Sequence, residues 1–174
     1  MNRINPIALL VLLSLAPHTS YAICNSEMQP TAPAERYIDN GDGTVTDTRT
    51  QLMWMQCSAG LTTTNTACDT GSAQPYSWGS IPLVVTPLNS AKFAGFNDWR
   101  LPNRNELASL VEYQCVWPSI NSDLFPSTEL FPYWTTTPYV TIGARAWAVS
   151  FADGGTTADN KSNTYYLRLV RNAN

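Results

Sequence analysis

The chain has 174 residues, of which 44% are hydrophobic, 11% aromatic and 13% charged, with a formal net charge of −3 at pH 7. Its one histidine, His18, lies in the apolar N-terminal stretch. The rest of the chain therefore has no Ser-His-Asp or Cys-His catalysis, no His-ligated metal and no general base of the commonest near-neutral kind. No basic excess marks a nucleic-acid-binding surface, and the composition reads as a non-enzyme without a cofactor.

In residues 1–22, MNRINPIALLVLLSLAPHTSYA, Arg3 supplies a positive start and Ile7 to Ala16 an apolar core too short to span a bilayer. Ser20-Tyr21-Ala22 is a small-x-small cleavage pattern, so a secretory signal peptide cut after Ala22 is expected, and with it a secreted or periplasmic location. A lipid anchor on Cys24 is the rival, but a lipobox wants a small residue before the cysteine and Ile23 is bulky. No later segment is apolar enough to span a membrane, so no membrane anchor is expected. The remaining 152 residues carry nine basic and thirteen acidic side chains, net −4. That length suits one domain burying about 70% of its extended-chain surface. Residues 23–35 are a Pro-rich lead-in, and the domain is expected over 36–174.

Four cysteines remain, Cys24, Cys57, Cys68 and Cys115, which in an exported chain imply two disulfides among three connectivities. Cys57 and Cys68 bracket a Thr/Ser/Gly/Asn-rich loop, so local closure is the natural pairing and leaves Cys24 with Cys115. On the chain-entropy estimate the two bonds contribute about 3 and about 4.5 kcal/mol. A zinc site is disfavoured by the C-x10-C spacing without histidine in an oxidising compartment.

Arg36 to Asp47, RYIDNGDGTVTD, alternates around Asn40-Gly41 and Asp42-Gly43, dipeptides that tolerate positive φ and so predict a hairpin. A calcium loop is the sharper alternative, since Asp39, Asp42 and Asp47 are close in sequence. However, the EF-hand pattern would put Gly41 at a ligand position. Gln51 to Gln56 reads as a short buried strand carrying Trp54. Tyr76 to Asn89 is expected to be irregular with about one helical turn, because Gly79, Pro82 and Pro87 interrupt it.

Pro102 stops any preceding strand, Asn103 is a good N-cap, and Glu106 falls at the capping-box position. Leu107, Leu110 and Val111 follow at helical spacing, predicting a helix of about three turns over 103–113. Asp98, Trp99, Arg100, Asn103 and Glu106 then form a structural corner, with Trp99 buried and Asp98 paired to Arg100 or Arg104. Pro118, Pro126 and Pro132 space out loops. Two strands close the chain, 146–151 and 165–171, the second with Arg168 and Arg171 toward water. Asp153-Gly154-Gly155 makes a turn between them and leads into a polar loop.

The segments DNGDGTVTDTRTQLMWMQC, FAGFNDWRLPNRNELASLVE, YWTTTP, AWAVSF and YYLRLVR, in this order, resemble the Lcl C-terminal-domain family, named after a collagen-like bacterial adhesin. The resemblance covers residues 36–171. It implies an α+β, C-type-lectin-like domain, similar also to formylglycine-generating enzymes, with a small antiparallel sheet, one or two helices and long disulfide-stapled loops. The adhesin carries collagen repeats and is associated with sulfated polysaccharides, whereas this chain has no G-x-y tract. The lectin calcium motif Trp-Asn-Asp is echoed only by Phe96-Asn97-Asp98, and no Glu-Pro-Asn partner occurs. The reactive cysteines of the formylglycine enzymes have no counterpart if all four cysteines are paired.

The expected function is an exported, non-enzymatic recognition or adhesion domain for glycan or another cell-surface ligand. Its six tryptophans and eight tyrosines mostly fill the core. Tyr133, Trp134, Tyr139 and Arg145 are the candidates for a ligand groove. The alternatives are an envelope hydrolase or transferase using Asp98, Glu106 or Glu112, and a structural envelope or fimbrial accessory protein.

Overall fold

A computed structural model describes residues 22–64 and 67–174. In chain order its strands begin with β1 (Ile23–Cys24), β2 (Tyr37–Asp39), β3 (Thr44–Asp47), β4 (Leu52–Met55), β5 (Leu61–Thr64), β6 (Ala67–Gly71) and β7 (Tyr76–Ser77). Helices α1 (Pro82–Ser90) and α2 (Arg104–Ala108) follow. The chain then forms β8 (Cys115–Val116), β9 (Pro132–Pro138), β10 (Arg145–Ser150), β11 (Thr156–Asn160), β12 (Thr164–Tyr165) and β13 (Val170–Asn172). A four-stranded antiparallel sheet has the order β13-β4-β3-β2, a three-stranded one β11-β10-β9, and the other strands pair in twos. The class is α+β.

The β2–β3 hairpin forms where expected. Gly41 and Gly43 take φ of +73° and +87°, values that cost glycine little. The Asp39 carboxylate accepts the Gly41 amide at 2.9 Å and that of Asp42 accepts the Thr44 amide at 3.1 Å. Every β4 side chain is buried, because the sheet is covered on both faces. Leu52 and Trp54 face Leu107, Leu110 and Val111, while Met53 and Met55 face Trp99, Leu101 and Trp134.

Both covered faces explain a correction near the C-terminus. Residues 165–171 are not one strand with arginines in water, since only 164–165 and 170–172 are paired as strands. Arg168 is 0% exposed and Arg171 is buried. Leu167 and Leu169 pack in the cluster of Trp99 and Trp134, and Arg171, on that same side, lies against Phe96 and Asp98, while Arg168 and Val170 face the cluster of Phe125 and Tyr133 instead of solvent. The Arg168 guanidinium lies 5.0 Å from the Phe125 ring centre and 5.9 Å from that of Tyr133. It donates to the carbonyls of Met55 and Gln56 and to the Thr128 hydroxyl. Burial pushes its pKa below the ordinary arginine value.

Two helix expectations also change. Residues 82–90 form a nine-residue helix rather than a single turn, because Pro82 falls in the first turn, where its missing N–H costs nothing. Pro87 lies inside this helix and forfeits one bond. The helix after Asn103 is shorter than three turns: α2 ends at Ala108, and Leu110 and Val111 are held by tight-turn bonds to Leu107 and Ala108. The stripe Leu107, Leu110 and Val111 is nonetheless buried. The segment after Gly155 is not a polar loop but strand β11, paired along β10. The turn before it needs its glycine: Gly154 has φ +77°, and a Cβ there would stand 2.5 Å from Val111 Cγ1.

Both expected disulfides form, Cys24–Cys115 and Cys57–Cys68. The first anchors β1 on β8. The lead-in then packs onto the body: Ala32 is buried, and Glu112 accepts the amides of Thr31 and Ala32 at 3.0 and 2.8 Å.

Candidate functional site

The corner around DWRLPNRNEL is built as architecture. Asn103 Oδ1 accepts the Glu106 amide at 2.9 Å while Glu106 Oε2 accepts the Asn103 amide at 2.7 Å, a reciprocal capping box. Arg100 grips both Glu106 oxygens at 2.8 Å, so it pairs with Glu106 and not with Asp98. Asp98 instead takes Arg171 at 2.7 Å, whose guanidinium stacks 3.8 Å from the Phe96 ring centre. Trp99 is 2% exposed. Its indole N–H donates to the Phe93 carbonyl at 3.0 Å, and the Asn89 side chain bonds both its backbone groups at 2.9 Å.

The carboxylates that a hydrolase would need are committed in the same way. Arg171 holds the Asp98 pKa low, and Arg100 does so for Glu106. Burial opposes ionisation of Glu112, but bonds from Thr31, Gln114 and Ala32 outweigh it and keep its pKa below the ordinary value. The calcium reading needs correction too. Asp47 is buried in an ion pair with Arg36, and Asp39 and Asp42 serve turn amides. Among the described residues no group of three or more His, Cys, Asp or Glu side chains is placed to hold a metal ion.

The four candidate groove residues separate. Tyr133 and Trp134 are both 0% exposed and belong to the core, which corrects their assignment as groove residues. The Tyr133 hydroxyl is bonded to Ser58 Oγ at 2.6 Å and accepts the Glu129 amide at 2.9 Å. The Trp134 indole donates to the Tyr76 carbonyl at 2.9 Å. As neighbours on β9 they point to opposite faces, Tyr133 into the cluster of Phe125 and Phe151 and Trp134 into that of Trp99 and Leu101. Because both faces are covered, each polar tip finds an internal partner.

Tyr139 and Arg145 lie elsewhere, at the β9–β10 turn, where the Tyr139 amide donates to the Arg145 carbonyl at 3.0 Å. Beside them stands Trp147, partly exposed, with Tyr139 edge-on at 5.6 Å between ring centres. The Arg104 guanidinium lies 4.6 Å from a Trp147 ring centre. The platform is held firmly: the Thr135 hydroxyl donates to the Trp147 carbonyl at 2.7 Å, and Thr137 Oγ1 accepts the Arg104 amide at 2.9 Å. Neither Arg104 nor Arg145 forms a salt bridge among the described residues; the three bridges present are those of Arg36, Arg100 and Arg171. Trp147 and Arg104 were not among the candidates read from sequence. A signal for Trp147 was present, since in Ala146-Trp147-Ala148 the small residues point inward and the large one out.

A family model described as the Lcl C-terminal domain matches residues 43–171. The matched span contains the capped corner, the Tyr139–Trp147 platform and the segment that carries Arg168. No curated protein matches the chain. With about three quarters of its residues inside that match, the chain belongs to the Lcl C-terminal domain family.

Proposed function

We propose that this is an exported, non-enzymatic recognition domain that binds glycan on the platform formed by Trp147, Tyr139, Arg104 and Arg145. The observation that carries it is the Trp147 indole, partly exposed and bracketed by Tyr139 at 5.6 Å and Arg104 at 4.6 Å. Aromatic faces suit the C–H surfaces of sugar rings, and arginines held in no salt bridge suit their hydroxyl or anionic groups. Family membership supports a surface-associated role, and the resemblance to that family implies a C-type-lectin-like arrangement. Two disulfides fit an oxidising compartment. Among the described residues no helix is long and apolar enough to cross a membrane. The structural bonds that occupy Asp98, Glu106 and Glu112 favour recognition over carboxylate chemistry.

A glycan array probed with the mature protein tests this reading. Trp147→Ala is expected to abolish the array signal while leaving the melting curve almost unchanged. An array without signal, or a Trp147→Ala protein that binds like the wild type, would refute it.

A further inference from the structure

Among the described residues, four of the thirteen acids engage no hydrogen bond or ion pair through their carboxylates: Glu27, Glu35, Asp123 and Glu129. Three of these four, Glu35, Asp123 and Glu129, line a single groove of about 1000 Å3 between the lead-in and the 118–131 segment. Its walls include Pro33, Ile120, Phe125 and Pro126, and no lysine or arginine lines it. Leu130 and Phe131 also line it, 37% and 58% exposed. The Ser122 hydroxyl on the wall is buried without a partner. An apolar groove with uncommitted carboxylates suits an apolar element that carries positive charge.

The β9–β10 turn is such an element. Val140 and Ile142 are 92% and 44% exposed there, beside the exposed Arg145, which has Asp159 as a charged neighbour but forms no salt bridge among the described residues. The turn is stiffened by bonds from the Ile142 amide to the Tyr139 carbonyl and from the Arg145 amide to the Ile142 carbonyl, at 3.3 and 2.9 Å. Lys161 Nζ braces it by donating to the Gly143 carbonyl at 2.9 Å. Groove and turn lie at opposite ends of β9, since Phe131 precedes the strand and Tyr139 follows it. At about 3.3 Å per residue the strand holds them about 20 Å apart, so no molecule can seat its own turn in its own groove.

We propose that the groove of one molecule receives the β9–β10 turn of a second copy. Val140 and Ile142 pack on the Phe125–Phe131 wall, and Arg145 faces Asp123 and Glu129. The contact joins two different patches, so it is head-to-tail and propagates into a chain or a ring. It does not rest on glycan binding at Trp147.

Sedimentation velocity of the mature protein tests this over rising concentration at low and high salt. The expected result is a sedimentation coefficient that climbs with concentration at low salt and falls back at high salt. Glu129→Arg disables the groove and Val140→Asp disables the turn, so each variant alone stays monomeric with an unchanged melting curve. Mixed one to one they form a heterodimer and stop there, because one intact groove meets one intact turn. A wild type that stays monomeric throughout would overturn the proposal. So would a mixture that fails to pair, or a groove that binds a lysine-leucine peptide while the protein remains monomeric.

Discussion

Replacing Glu112 with glutamine tests how the lead-in is held to the body. The carboxylate is only 5% exposed. Its Oε1 accepts the Thr31 and Gln114 amides at 3.0 and 2.9 Å and the Thr31 hydroxyl at 3.2 Å, and its Oε2 accepts the Ala32 amide at 2.8 Å. Glutamine keeps the shape and one carbonyl oxygen, so the Oε1 bonds survive as weaker neutral ones. At Oε2 an NH2 group would face the buried Ala32 amide, donor against donor. Losing one charge-assisted bond and stranding that amide costs about 2–4 kcal/mol. Urea unfolding at pH 7 should show this as a lowered midpoint with little change in slope. Because the folded-state pKa of Glu112 is depressed, the stabilisation is full above the ordinary glutamate value and is lost as pH falls through the folded one. The wild-type advantage over Glu112→Gln should therefore shrink in acid. A difference below about 0.5 kcal/mol at pH 7, or one that stays constant into acid, would refute the reasoning.

Trp99→Ala should cost about 3–5 kcal/mol through the cavity it leaves, and Asn103→Ala about 1 kcal/mol through the lost cap. Thermal denaturation should register both, while glycan binding on the folded fraction stays intact. Arg168→Met should cost about 3 kcal/mol or more, because the Met55 and Gln56 carbonyls lose a buried donor. Arg168→Lys should recover little of this in the same melts, since an ammonium cannot reproduce the planar fork between Phe125 and Tyr133. Removing the Cys24–Cys115 bond by a double serine substitution should lower stability by up to about 4.5 kcal/mol. Hydrogen exchange should quicken first at Thr31 and Ala32, which that bond holds near Glu112.

Features set by neighbours a few residues apart were legible in the sequence. Asn40-Gly41 and Asp42-Gly43 specify the β2–β3 turn because their backbone conformations and side-chain bonds are local. Asn103 and Glu106 specify the start of α2, three residues apart, for the same reason. The loop between Cys57 and Cys68 decided one disulfide, and elimination decided the other. What depends on which face of a strand is covered was decided by the tertiary structure. Tyr133 and Trp134 looked like binding residues but are buried in the core on opposite faces of β9, while Trp147, two residues from Arg145, is partly exposed. Arg168 alternates with leucines as on a half-exposed strand, yet both faces there are covered, so it and Arg171 are buried. Asp98 found Arg171, 73 positions away, in place of its neighbours. A partner at that distance is chosen by packing, which no local pattern of residues encodes.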